Sequence, residues 1–311
     1  MIKKTVSVVV PIFNEKEMLD EIFSRVDAVF QNNEKYEYEL VFFDDGSTDG
    51  TRKNIEKLCS HYENVKGVFY AKNAGYLKNT FYCVQQAKGD CVIILHADLQ
   101  NPPEKIPEFL EKWENGAQVV LGVKKKSREN RFMFFLRSVF YFLMIHIFGI
   151  KLTPHATEFE LFDKSFVEIL KKIKPSNPFL RGIILEYASS TDVVYFTQDM
   201  RKKGKSKFNL NKYYDFAICG IVQYSVNIPR RVILCSFAGI ILMFVELFLL
   251  WLPKMISDGF ADVENGLIIR ILIFLVLLLF VFLSFILEYI IFLIKNADEK
   301  PLVLEEKRIN Y

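Results

Sequence analysis

Three short β-branched runs, each breaking straight into a polar cluster, constrain this chain more than any other feature. Val6–Val10 ends at Pro11 and leads to Phe13, Asn14 and Glu15. Glu39–Phe43 ends at Asp44-Asp45-Gly46-Ser47, and Cys91–Leu95 ends at His96-Ala97-Asp98. Helical stretches lie between them at Lys16–Phe30, Thr51–His61 and Lys78–Ala87. Apolar strands alternating with helices predict a parallel sheet covered on both faces. Such sheets bind ligands at the carboxyl ends of their strands, where all three polar clusters fall. No GxGxxG follows the first strand and GxxxxGK[ST] occurs nowhere, which argues against a dinucleotide dehydrogenase and a P-loop NTPase. Acidic strand ends suit a nucleotide held through a divalent metal. Carboxylate and amide oxygens favour Mg²⁺ or Mn²⁺, which takes substrate phosphates as further ligands.

The second constraint is where the apolar residues sit. They make up 51% of 311 residues, thirty of them Phe, and mean hydropathy is +0.17. Val232–Leu252 is apolar apart from Ser236 and Glu246, and Leu267–Ile294 apart from Arg270, Ser284, Glu288 and Tyr289. Each run can cross a hydrocarbon core of roughly 30 Å, so two transmembrane helices are expected. Arg230 and Arg231 precede the first run and Lys295 follows the second, while the loop between carries Asp258, Asp262 and Glu264 against Lys254. By the positive-inside rule both termini and the catalytic part face the cytoplasm, in a multi-pass protein of the plasma (inner) membrane. The N-terminus lacks the cleavage site of a signal peptide, and Pro11 and Asn14 break its apolar run.

Phe132–Ile150 is Phe-rich but holds Arg137, Ser138 and His146, and is read as a helix lying in the membrane interface. Basic clusters at Lys124–Arg131 and around Lys202, Lys203 and Lys205 fit an anionic leaflet, or a solvated basic surface. A net charge of +3 is too close to balance to imply nucleic acid. Five Cys without a CxxC pair read as free thiols rather than a zinc site. The expected organisation is a catalytic domain at 1–209, a juxtamembrane segment at 210–231, two spans within 232–294, and a cytoplasmic tail at 295–311.

The ordered set VSVVVPIFNE, DDGSTDGT, HADLQNPPEKIP and RKKGKSK, with the ending LEYIIFLIKNADEKPLVLEEK, resembles family 2 glycosyltransferases of GT-A (Rossmann-like) fold. Within that family it is most similar to the polyprenyl-phosphate glycosyltransferases, which include bactoprenol glucosyltransferases and dolichyl-phosphate mannose synthases. The resemblance implies inverting, metal-dependent transfer of a sugar from a nucleotide-sugar donor, UDP-sugar favoured, to undecaprenyl or dolichyl phosphate for the cell envelope. It also implies assembly of copies through the spans. Pro11, Phe13 and Glu15 would line the base and ribose, with Asp45 at the base edge and Asp44 beside it. Asp98 and Gln100 would hold the metal. Arg201, Ser206 and Lys207 would meet phosphate oxygens, with Arg128 and Arg131 as lipid-phosphate ligands. Glu158 would be the acceptor-side carboxylate, and Asp98, Glu158 and Arg201 would form the catalytic set.

Several of these residues have plainer readings. Asp44 or Asp49 can cap the helix starting near Thr51, and Asp98 can serve a turn before Pro102-Pro103. The chain departs from the family at His96, where an acid is common. It departs again at Thr157–Phe162, where Glu158 and Glu160 stand for the Asp and Arg of a DFRL pattern. The alternatives are a membrane glycosyltransferase with another lipid or polysaccharide acceptor, and a non-catalytic nucleotide-sugar-binding scaffold.

Overall fold

Val6, Val8, Val9 and Val10 are completely buried in β1 (Lys4–Ile12). A strand apolar on both pleats needs a neighbour on each edge and helices over each face, which places it inside the sheet. In the computed structural model β1 lies parallel to β2 (Tyr36–Asp44) and to β4 (Cys91–Ile94), and β2 parallel to β3 (Val65–Tyr70). The structure describes residues 3–127, 138–139, 141–147, 149–150, 152–198 and 301–311, with isolated positions between 220 and 293. The helices α1 (Leu19–Gln31), α2 (Thr51–His61) and α3 (Tyr76–Gln86) link these strands. In α1, Leu19, Ile22, Val26 and Val29 recur every three or four residues and form its buried stripe.

Beyond these four strands the sheet is mixed, a departure from the all-parallel expectation. After α4 (Ile106–Glu114) and β5 (Val119–Ser127), β6 (Ala156–Asp163) runs antiparallel to both β4 and β5. Then α5 (Lys164–Lys172), whose first turn is capped by Asp163, and α6 (Leu180–Tyr187) lead to β7 (Thr191–Gln198), parallel to β5. Finally β8 (Glu305–Ile309) adds antiparallel to β3. The described strands form one sheet in the order β7-β5-β6-β4-β1-β2-β3-β8. β6 was illegible as a core strand because two Glu residues interrupt its apolar alternation, yet both are buried.

The chain divides into two compact units. The first comprises Met1–Tyr141, Lys151–Phe216 and Glu299–Tyr311, and β8, within the expected tail at 295–311, is an edge strand of this unit's sheet. The second comprises Phe142–Ile150 and Ala217–Asp298. Its described part includes a π-helical turn at Leu143–Ile147, where the interfacial helix was expected to continue. Among the described residues no helix is long and apolar enough to cross a membrane. The expected spans and the juxtamembrane segment lie almost wholly outside the described residues.

Part of the Phe excess belongs to the sheet's own core. Phe42, Phe43, Phe69 and Phe81 are fully buried, and Phe159 packs between Phe109 and Phe196 with ring centroids 4.5 and 5.7 Å away. Cys59, Cys83 and Cys91 are buried free thiols whose pKa burial pushes up, as expected of inert core cysteines. Cys219 and Cys235 lie outside the described residues.

Candidate active site

The polar ends of β1 and β2 are laced together into one floor. Asp45 N–H donates to the Ile12 carbonyl at 2.9 Å. Asn14 takes a left-handed conformation (φ 54°), its N–H donating to Ser47 Oγ at 2.8 Å while its Oδ1 accepts from Thr48 N–H at 2.8 Å. Glu15 N–H donates to Thr51 Oγ1 at 3.0 Å. Gly46 (φ +73°) presses against the chain at Lys72 and Asn73, where an added Cβ would stand 3.1 Å from the Asn73 nitrogen. Pro11 is buried opposite Phe43, whereas Phe13 and Glu15 sit half-buried in the loop beyond β1.

Both carboxylates of the DDGS run are buried and engaged. Asp44 accepts from Ser47 N–H at 3.2 Å and from Arg52 Nε at 3.4 Å. Asp45 accepts from the N–H groups of Ala74 and Gly75 at 2.6 and 3.1 Å, clamping the turn before α3. Burial outweighs those two bonds and pushes Asp45 up to about 6. The N-cap of α2 is Gly50, without a side-chain cap, while Asp49 just before it accepts through Oδ1 from both the N–H and the hydroxyl of Thr51.

β4 delivers His96–Gln100 to the same edge, its exit tied to β1 by Leu95 N–H donating to Val9 O at 2.9 Å. Asp98 Oδ1 accepts from Gln100 N–H at 3.1 Å, and buried Leu99 between them has φ 52°. A left-handed backbone at a bulky non-glycine residue is strained, and strain of this kind clusters at functional sites. Leu99 separates two half-buried residues with hard oxygen side chains, Asp98 and Gln100. That donor set fits Mg²⁺ or Mn²⁺, which binds through one or two protein oxygens and completes its shell with water and substrate phosphate. Among the described residues no cluster of three His, Cys, Asp or Glu offers a closed metal cage.

A buried polar cluster faces this turn from β6. The Tyr76 hydroxyl donates to Glu158 Oε2, and the Tyr76 ring lies 5.9 Å from that of His96. Burial keeps His96 low and lifts Glu158, while the positive charge of Arg181 opposes the Glu158 shift. Glu160 is fully buried with neither carboxylate oxygen hydrogen-bonded, and burial, with Glu158 adding to it, pushes it up to about 8. Arg181 on α6 donates to the Tyr141 hydroxyl at 3.3 Å and, with Glu158, lines a small pocket between Leu77 and Thr80 of α3 and the turn at Pro178–Leu180. The cation that TEFELF lacks is thus supplied to the cluster from another element.

The sheet brings Pro11, Phe13, Glu15, Asp44, Asp45, Asp98, Gln100 and Glu158 to one edge through this chain of contacts. Arg128, Arg131, Arg201, Ser206 and Lys207 lie outside the described residues. Arg52, Tyr76 and Arg181 were not singled out from the sequence. Arg52 directly follows DDGSTDGT, a position that could have flagged it, but Tyr76 and Arg181 carry no local signal.

Comparison with known proteins decides the family. The family model described as "Glycosyl transferase family 2" matches residues 7–171. The chain belongs to glycosyl transferase family 2. Among its relatives, the uncharacterized glycosyltransferase YkcC of Bacillus subtilis is 31% identical over 308 residues, covering 97% of this chain and 93% of the relative. The bactoprenol glucosyl transferase of Shigella phage SfV is 35% identical over 228 residues, covering 73% and 74%. Glucosyl-3-phosphoglycerate synthase from Mycobacterium tuberculosis, solved with Mn²⁺, UDP and glucosyl-3-phosphoglycerate, has a TM-score of 0.51 at 16% identity and covers 70% of this chain and 78% of its own. That likeness shows the fold, an α/β glycosyltransferase sheet of GT-A type. The family 2 chain is therefore an enzyme that transfers sugar, and the scaffold reading is set aside.

Proposed function

We propose that this glycosyltransferase moves a sugar, UDP-glucose being the first donor to test, onto the phosphate of a polyprenyl lipid at the cytoplasmic face of the plasma membrane. The observation that carries the acceptor is the 35% identity to a bactoprenol glucosyl transferase over 228 residues. Two apolar runs of spanning length in the same chain support it, because a phosphate on a long isoprenoid scarcely leaves the headgroup plane. Both spans, the interfacial helix at 132–150 and assembly of copies through the spans belong to this proposal.

The nucleotide lies over the floor made by Pro11–Glu15 and Asp44–Thr51, with Asp45 fixing the turn that borders it. Asp98 and Gln100 hold Mg²⁺ or Mn²⁺, which when bound neutralises charge on the leaving nucleoside diphosphate. An acceptor phosphate oxygen attacks C1 of the sugar, the bond from C1 to the diphosphate oxygen breaks, and the anomeric centre inverts. A phosphate monoester has its second pKa near 6, so most acceptor is already dianionic at neutral pH. Glu158, lifted by burial, takes the proton from the fraction that still carries one. Arg128, Arg131, Arg201, Ser206 and Lys207 supply cationic and hydroxyl groups to the two sets of phosphates. Purified full-length protein in nanodiscs, given Mn²⁺, labelled UDP-glucose and undecaprenyl phosphate, should transfer label to the lipid and lose that activity on chelation. Transfer to a soluble acceptor with the lipid left blank would refute the proposal.

A further inference from the structure

The last strand of the chain reaches the nucleotide floor through one arginine. Arg52, in the first turn of α2, spends its fork in three directions. Its Nε faces Asp44 Oδ2 at 3.4 Å, Nη1 donates to Glu306 Oε2 at 2.9 Å, and Nη2 donates to the Tyr70 carbonyl at 3.0 Å. The guanidinium also lies 5.4 Å from the centre of the Phe69 ring. Asp44 has no solvent exposure, and a buried carboxylate depends on whatever partners it keeps. Its partners are Arg52 on α2 and the Ser47 N–H in the loop that closes over the end of β2.

Glu306 is free for this task because of a break in register. β8 pairs Phe69 with Lys307 but Tyr70 with Glu305, so Glu306 is the extra residue of a bulge. Bulges re-aim a side chain that a regular ladder would fix. The strand is held without it. Leu304 O accepts from Ala71 N–H at 2.9 Å, Glu305 accepts from Tyr82 and Arg308, and Asn310 donates to the carbonyls of Cys59 and Val65. Lys307 pairs with Glu56 at 3.0 Å on α2.

We infer that Arg52 and Glu306 are a positioning pair for Asp44, through which the strand following the apolar segment sets the affinity for the donor's nucleoside diphosphate. This deepens the proposed function, since it rests on reading the Asp44–Thr51 loop as the nucleotide floor. Glu306 orients the outer nitrogen of the fork and so keeps Nε turned toward Asp44. Without it the guanidinium is tethered by Tyr70 O alone at that end, and the DDGS loop loosens.

The test uses the full-length protein with Glu306→Gln, Glu306→Asp and Arg52→Lys. UDP binding is titrated calorimetrically, donor and acceptor KM are measured beside kcat, and melting is followed for each. Glu306→Gln and Arg52→Lys should weaken UDP binding and raise donor KM by about two- to fivefold, the range of a partly exposed ion pair. Acceptor KM, kcat and melting temperature should hold, and Glu306→Asp should recover part of the loss. Wild-type UDP affinity in Glu306→Gln, or a loss that follows a lowered melting temperature, overturns the inference. Should the unaltered protein bind no UDP, the donor reading fails separately. Amide exchange at Ser47 then decides: faster exchange in Glu306→Gln supports the pair, and unchanged exchange overturns it.

Discussion

The Tyr76 hydroxyl, at the start of α3, donates a hydrogen bond to the Glu158 carboxylate on β6, 82 residues further along the chain. It joins the turn clamped by Asp45 to Glu158, the proposed acceptor-side acid. Tyr76→Phe removes a bond that favours the ionised acid and should move the acidic limb of the kcat–pH profile upward. The kcat loss should be small at pH 7 and grow toward pH 5.5, with UDP affinity unchanged. Glu158→Gln should cost less than about twofold in kcat at pH 7 and progressively more toward pH 5.5, where more of the acceptor phosphate carries a proton. Steady-state kinetics between pH 5.5 and 8.5 check both.

Glu160 makes stability depend on pH in a definite direction. Burial raises it from 4.5 to about 8, so across that window the folded chain keeps a proton that the unfolded chain has released. Stability therefore falls as pH rises from roughly 4.5 to 8. Glu160→Gln carries no such proton and should melt higher than the unaltered protein at pH 8. A gain of about 2–4 °C per kcal/mol is the scale, and the gap should narrow toward pH 5. Melting curves at both pH values give the comparison.

Asp98 spends one oxygen on the Gln100 N–H and should be dispensable for folding, at a cost of about 1 kcal/mol. Asp98→Ala should nonetheless abolish transfer and make UDP affinity indifferent to Mn²⁺. Calorimetric titration of UDP with and without Mn²⁺ reads this directly.

Gly46 sits at φ +73° with backbone of Lys72 and Asn73 packed where a side chain would go. Gly46→Ala should lower stability by about 1–2 kcal/mol and raise donor KM, because strain and close approach act on the same loop. Urea unfolding gives the first number and donor titration the second.

Much of the donor half was legible because its signals are local. The helix expected at Thr51–His61 has those bounds, and the three polar clusters lie at strand ends where parallel topology puts them. What sequence could not reveal depends on distant partners. β6 hides its burial behind Glu158 and Glu160, which only the Tyr76 bond and the charge of Arg181 make intelligible. β8 reads as a polar tail until Gly67, Val68, Phe69 and Tyr70 are seen to offer it an open sheet edge. Arg52 looks like an ordinary helix residue until Asp44 and Glu306 are placed on either side of it.

The central claim is the acceptor, and one competition decides it. Full-length protein in nanodiscs is given labelled UDP-glucose, Mn²⁺, undecaprenyl phosphate and 3-phosphoglycerate together, and products are separated by organic extraction and identified by phosphorus NMR. The account predicts label in the organic phase as a glucosyl phosphodiester of the lipid, absent in Asp98→Ala. Label confined to the aqueous phase on phosphoglycerate, with undecaprenyl phosphate unmodified, would contradict it.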